Sequence, residues 1–170
     1  LVSWARRCVR DRIEFVREAL PKIEGQSRYR AALHAIVADC WTLLRDRDRA
    51  ESAIEEATEI APDEPWIHVV RSRVAEAFGD ETSADESVNH ALSLNTDSRA
   101  ALEARGRRLL RAEGPDAAAD FMKDHESRAQ SLYLAMTCAE FLSTGERWDE
   151  VDALLPRLHE LAQCAEQPFR

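Results

Sequence analysis

Apolar residues recur along this chain at spacings of three and four, in stretches separated by short polar or Gly/Pro-containing breaks. Val9, Ile13, Val16 and Leu20 place an apolar stripe on a helix over residues 4–20, which Pro21 ends or bends. Glu24-Gly25-Gln26-Ser27 reads as a turn. The next helix runs from about Tyr29 to Leu44, with Leu33, Ile36, Val37, Cys40, Trp41 and Leu44 on one face. Arg45-Asp46-Arg47-Asp48 closes a short connection into a helix that reaches about Ile60 and turns Ala50, Ala53, Ile54 and Ala57 inward. Ala61-Pro62-Asp63-Glu64-Pro65 stops it.

The same pattern then returns. A helix over about 65–78 ends at Gly79-Asp80, and Thr82 or Ser83 is the expected cap of a helix holding Ala84, Val88, Ala91 and Leu92. Asn95-Thr96-Asp97 is a turn, followed by a helix over about 98–113 and the break Gly114-Pro115-Asp116. A short helix over about 116–125 follows. The last pair runs from about Arg128 to Leu142, turns at Ser143-Thr144-Gly145-Glu146, and continues from Trp148 to about Cys164.

Two rulers measure this repetition. Ala50, Ala84 and Ala118 are 34 residues apart, as are Ile54, Val88 and Met122, and Ala57 and Ala91. The turn glycines Gly79, Gly114 and Gly145 step by 35 and 31. A period near 34 in a helix-rich chain implies stacked helical hairpins, each too small to bury its own apolar face. Connections this short force neighbouring helices antiparallel.

These residues resemble the tetratricopeptide repeat. That family sets a bulky and a small residue in its first helix, then Ala, an aromatic or aliphatic residue and Ala in its second, with Pro near the end. Residues 31–64 carry Trp41, Ala50, Ile54, Ala57 and Pro62; residues 65–98 carry Ala75, Ala84, Val88 and Ala91 without the closing Pro. Residues 99–132 carry Gly106, Ala118 and Met122, and the last unit matches through Leu134, Phe141 and Gly145. The resemblance implies an all-α, right-handed superhelix (α-solenoid) of about four hairpins plus an N-terminal helix. The expected division is 1–27 for that helix, then hairpins at 28–64, 65–97, 98–126 and 127–170, the last with a C-terminal cap.

Composition narrows the function classes. With 45% hydrophobic and 32% charged residues the chain is a folded one rather than a disordered one. The net charge of −9 opposes general nucleic-acid binding. It is uneven: residues 1–49 hold 11 basic and 7 acidic side chains, a balance of +4, and the remainder stands at −13. Cys8, Cys40, Cys138 and Cys164 are far apart with no CxxC pair, which argues against zinc and a disulfide framework and for free, mostly buried thiols in a reducing cytosol. No long apolar run or signal segment is present, so a cytoplasmic protein is expected. The excess of Arg over Lys suggests a GC-rich, bacterial coding background. The start at Leu1 suggests a portion of a longer protein.

Nothing in the chain reads as catalytic machinery, metal site or cofactor box. The five histidines are scattered, the adjacent pairs Glu55-Glu56 and Asp149-Glu150 point to different parts of a helix surface, and Gly106 stands alone within a helix. Trp41 and Trp148 fall on apolar faces and are expected in the core, with Trp66 partly exposed at a helix start. The resemblance implies that first helices line a concave face. By position this selects Asp39, Thr42, Trp66, Val69, Arg73, Glu76, Glu103, Arg107, Leu110 and Arg111 as partner-binding candidates. Arg73, Arg107 and Arg111 could face a carboxylate or acidic motif, or pair with Glu76 and Glu103 as surface ion pairs. The family's carboxylate-clamp positions here hold Ala32, Ile36, Val70 and Ala100, which argues against chaperone-tail binding. The expectation is a non-catalytic scaffold for a protein or peptide, with no nucleic acid and no membrane. The alternatives are a regulatory or sensor segment serving a neighbouring domain of a longer signalling protein, and a self-association scaffold using terminal hairpin faces.

Overall fold

The computed structural model describes residues 2–23, 27–126 and 131–166. The expected turn at Glu24-Gly25-Gln26 and the expected helix start at Arg128 lie outside the described residues. The helices are α1 (Val2–Ala19), α2 (Ser27–Leu43), α3 (Arg47–Ile60), α4 (Pro65–Ala77), α5 (Glu81–Leu94), α6 (Arg99–Ala112), α7 (Pro115–Glu126), α8 (Leu132–Thr144) and α9 (Trp148–Glu166). A 3-10 turn over Leu20–Lys22 follows α1, with Pro21 inside it. The described residues contain no strand. The chain is an all-α helical-repeat array, divided into two compact units at residues 1–96 and 97–170.

Local chemistry starts and stops these helices. Asp46 caps α3 by accepting from the Arg49 backbone N–H, and Pro65 and Pro115 occupy first-turn positions of α4 and α7. The expected cap of α5 at Thr82 or Ser83 is corrected: Asp80 is the cap, accepting from the Ser83 N–H at 3.0 Å and from its hydroxyl at 2.7 Å. Thr82 and Ser83 have cap-type side chains, but both already lie inside the helix.

The hairpin turns share one conformation rather than one residue type. Arg45, Gly79, Gly114 and Glu146 have φ of 61°, 81°, 98° and 58°. In three of these turns the next backbone N–H reaches back to close the helix end: Asp46 to the Trp41 carbonyl, Asp80 to Ala75 and Arg147 to Leu142, each at 3.0 Å. The second ruler is therefore a left-handed residue, and Gly145, at φ −84°, is not its last mark. Arg45 also donates to the Ala77 carbonyl at 2.7 Å, tying the α2–α3 turn to the end of α4.

In the first unit α2 pairs with α3 and α4 with α5, α2 lies beside α4, and α1 covers α2. Ala31, Ala35 and Ala38 of α2 are fully buried, as are Ala50 and Ala57 of α3, and Ile54, Ile67, Val70 and Val74 fill the space around them. Small side chains let helix axes approach, and the branched ones restore packing density. Ile36, expected on the apolar face of α2, is 38% exposed because the buried stripe runs through the alanines instead. His68 is buried, with Nε2 2.6 Å from the Pro62 carbonyl and its ring edge-on to His90.

In the second unit α6 packs on α7, α7 on α8 and α8 on α9. Gly106 is the small residue of this core: a Cβ there would lie 3.0 Å from the Phe141 ring and 3.2 Å from the Met122 sulfur. Trp148 is not a core residue, being 59% exposed. The partly buried stripe of α9 runs through Val151, Leu154, Leu158 and Leu161, and Trp148 sits off it. The thiols also divide: Cys40 and Cys138 are buried, whereas Cys8 and Cys164 are exposed.

Candidate functional site

In the first unit two of the candidate positions converge. Arg73 Nη2, on α4, donates to Asp39 Oδ2, on α2, at 2.7 Å. Burial raises the Asp39 carboxyl above its ordinary range, and the Arg73 charge pulls it partly back. Arg73 thus pairs with Asp39 and not, as one expectation had it, with Glu76. Thr42, one helical turn on from Asp39, directs its hydroxyl to the Ala38 carbonyl at 2.8 Å. Trp66 is partly buried against the core, Val69 is buried, and Glu76 is half-exposed. Val69 is therefore turned away from solvent and is not part of the outer surface of α4.

In the second unit Arg107 donates to Glu103 Oε1 from Nη2 at 2.8 Å and from Nε at 3.1 Å, a pairing within α6. Tyr133 Oη, on α8, donates to Glu103 Oε2 at 2.7 Å, and the Arg99 guanidinium lies 3.5 Å from the centre of the Tyr133 ring. The bond to Glu103, ahead of burial, pushes the Tyr133 phenol up, because the carboxylate stabilises the protonated phenol. Leu110 is half-buried and Arg111 exposed. Tyr133 was not among the residues selected by position, because the approach of its hydroxyl to Glu103 depends on how α8 is placed relative to α6.

A second feature went unread in the sequence. Between α1 and the α2–α3 hairpin lies a cleft of about 320 Å³ lined by Arg6, Arg10, Arg17, Trp41 and Arg49, with Glu14 and Asp46 at its wall. The Arg49 guanidinium sits 4.6 Å from the centre of the Trp41 ring. A neighbouring cleft of about 360 Å³ shares Arg17, Trp41 and Arg49 and reaches the His34–Glu56 pair.

Among the described residues no group of three or more His, Cys, Asp or Glu side chains is placed to hold a metal ion. Burial pushes the Cys138 thiol up to about 11 and raises that of Cys40, so both are poor nucleophiles. Among the described residues no helix is long and apolar enough to cross a membrane.

Solved structures with the same arrangement are known. PilW, a widely conserved type IV pilus biogenesis factor, superposes with a TM-score of 0.57 at 18% identity over 75% of this chain and 60% of its own. MamA superposes with a TM-score of 0.57 at 12% identity over 98% of this chain and 92% of its own. The fold is that of a tetratricopeptide-like array. No protein-family model and no curated protein matches the sequence. The likeness is one of fold, and the chain spans about 60% of the PilW structure.

Proposed function

We propose that this chain is a non-catalytic protein–protein interaction scaffold that seats a peptide or partner domain on the outer face of its first helices, α2 and α4 in the first unit. The observation that supports this reading is the meeting of Asp39 and Arg73 at 2.7 Å. Two positions selected as groove residues face each other from adjacent first helices, on a half-exposed surface that the core does not use. An exposed pair of this kind adds little stability, so a partner can exchange its own carboxylate or guanidinium for either member at small cost. A carboxylate-bearing partner would compete with Asp39 for Arg73, while Trp66 at the start of α4 would supply apolar contact.

The test is capture of partners from native lysate with the unaltered chain and with Arg73→Glu, after circular dichroism shows equal helix content and melting. A partner lost with Arg73→Glu supports binding at the α2–α4 face. A partner held equally by both places the interface elsewhere and overturns the assignment.

A further inference from the structure

We infer that the arginine-lined cleft between α1 and the α2–α3 hairpin receives α9 of a second copy of this chain. The cleft and the α2–α4 face are separate surfaces, so this inference does not rest on the function proposed above.

Arg6, Arg10, Ile13 and Arg17 follow i, i+4, i+7, i+11 and so form one stripe along α1. All four line the same cleft, and Trp41 and Leu44 add apolar wall. Among the described residues Arg6, Arg10 and Arg17 form no ion pair, although this is the basic quarter of an acidic protein. Arg6 and Arg17 are 11 residues apart, about 16 Å along a helix. Charge spread over that length matches a segment with several carboxylates better than one compact anion. Glu14 and Asp46 at the wall would repel a continuous polyanion such as nucleic acid.

The complementary surface is on α9. Its outward stripe, Trp148, Asp152, Leu155 and His159, repeats the same i, i+4, i+7, i+11 spacing. Trp148 and Leu155 are 59% and 52% exposed and lie on the same stripe of α9, so the two large apolar side chains form one exposed patch. Asp149, Asp152 and Glu160 are exposed on this side, and none forms an ion pair among the described residues. Asp149 and Glu160 are also 11 residues apart. With α9 laid parallel to α1, Asp149 meets Arg6, Asp152 meets Arg10 and Glu160 meets Arg17, while Trp148 and Leu155 face the apolar wall.

Because the two surfaces differ, the contact is head-to-tail, and copies add in series unless the rotation closes a ring. One helix in a cleft covers less area than a permanent dimer interface, so the association is reversible and depends on concentration. It also weakens with salt, since both charge sets are exposed.

Sedimentation velocity over a wide concentration range tests this with two charge-reversed chains, each first shown to keep its helix content and melting temperature. The unaltered chain is expected to sediment faster as concentration rises, and to lose this in high salt. Arg10→Glu/Arg17→Glu alone and Asp152→Arg/Glu160→Arg alone are each expected to associate at least about tenfold more weakly. Mixing the two variants should recover association, because each then offers the other two complementary surfaces. An unaltered chain that stays monomeric throughout overturns the inference, as does a reversed chain that associates as before. A mixture that stays monomeric also overturns it, and leaves the cleft to an acidic segment of a different protein.

Discussion

Arg73 on α4 and Asp39 on α2 form an ion pair at 2.7 Å although they stand 34 residues apart, one full repeat along the chain. The period thus sets side chains of equal position in successive hairpins against each other. Both partners are partly exposed, so Arg73→Ala is expected to cost less than about 1 kcal/mol. Its clearer effect is on Asp39, whose carboxyl burial already raises and Arg73 alone lowers. Carboxyl carbon NMR should show Asp39 titrating at higher pH in Arg73→Ala, and an unmoved titration would mean the pair is not formed in solution.

Ala84 is fully buried where α5 meets its neighbours, in the same repeat position as Ala50 and Ala118. Ala84→Leu adds three carbons where none fit and is expected to destabilise by about 1–3 kcal/mol. Urea unfolding followed by circular dichroism measures it. Wild-type stability in that variant would show that the α5 register is wrong.

Glu146 holds a left-handed backbone, at φ 58°, that suits glycine. Glu146→Gly is expected to stabilise the protein by up to about 1 kcal/mol, the relief of that strain less the added freedom of the unfolded chain. Arg45 has the same conformation but also bonds the Ala77 carbonyl, so Arg45→Gly should gain less. Thermal melts of the two variants give the comparison.

His68 supplies a pH dependence. Burial lowers its pKa below 6.5, an effect that the nearby His90 and Arg71 deepen and that the Pro62 carbonyl and Asp63 oppose. The unfolded chain therefore binds the proton more readily, and stability should fall as pH drops through about 6.5 and level off below the folded-state value. Chemical denaturation of the unaltered chain and of His68→Gln between pH 7.5 and 5 checks this, in a range set by the ordinary histidine pKa. A decline of equal size in the variant would assign the effect to another group.

The array was legible in the sequence because its determinants are small residues at fixed spacing: Ala50, Ala84 and Ala118 mark it by their separation alone. Gly79 and Gly114 announced their turns for the same reason. Arg45 and Glu146 did not, since a charged residue in a left-handed turn is held by its surroundings and leaves no mark in composition. Trp148 misled because an apolar side chain predicts burial only where a partner helix exists to bury it, and the packed stripe of α9 passes beside it. Among the candidate residues, the positions of Asp39 and Arg73 were readable and their contact was not, because the contact depends on the angle between helices. The basic balance of residues 1–49 was likewise visible, but the cleft that the arginines of α1 line exists only once α1 lies on the α2–α3 hairpin.

Within each unit, helices meet partners that are close in sequence: α2 with α3, α4 with α5, α6 with α7, α7 with α8 and α8 with α9. Bringing such partners together closes only short loops, so little chain entropy is lost before the first native contacts form. A topology dominated by local contacts folds on the microsecond-to-millisecond scale. It also loosens piecemeal, one hairpin at a time, instead of all at once. Backbone amides of α9 should therefore exchange with deuterium well before those of α7 in the same unit, a gradient of local stability set by how many neighbours each helix has.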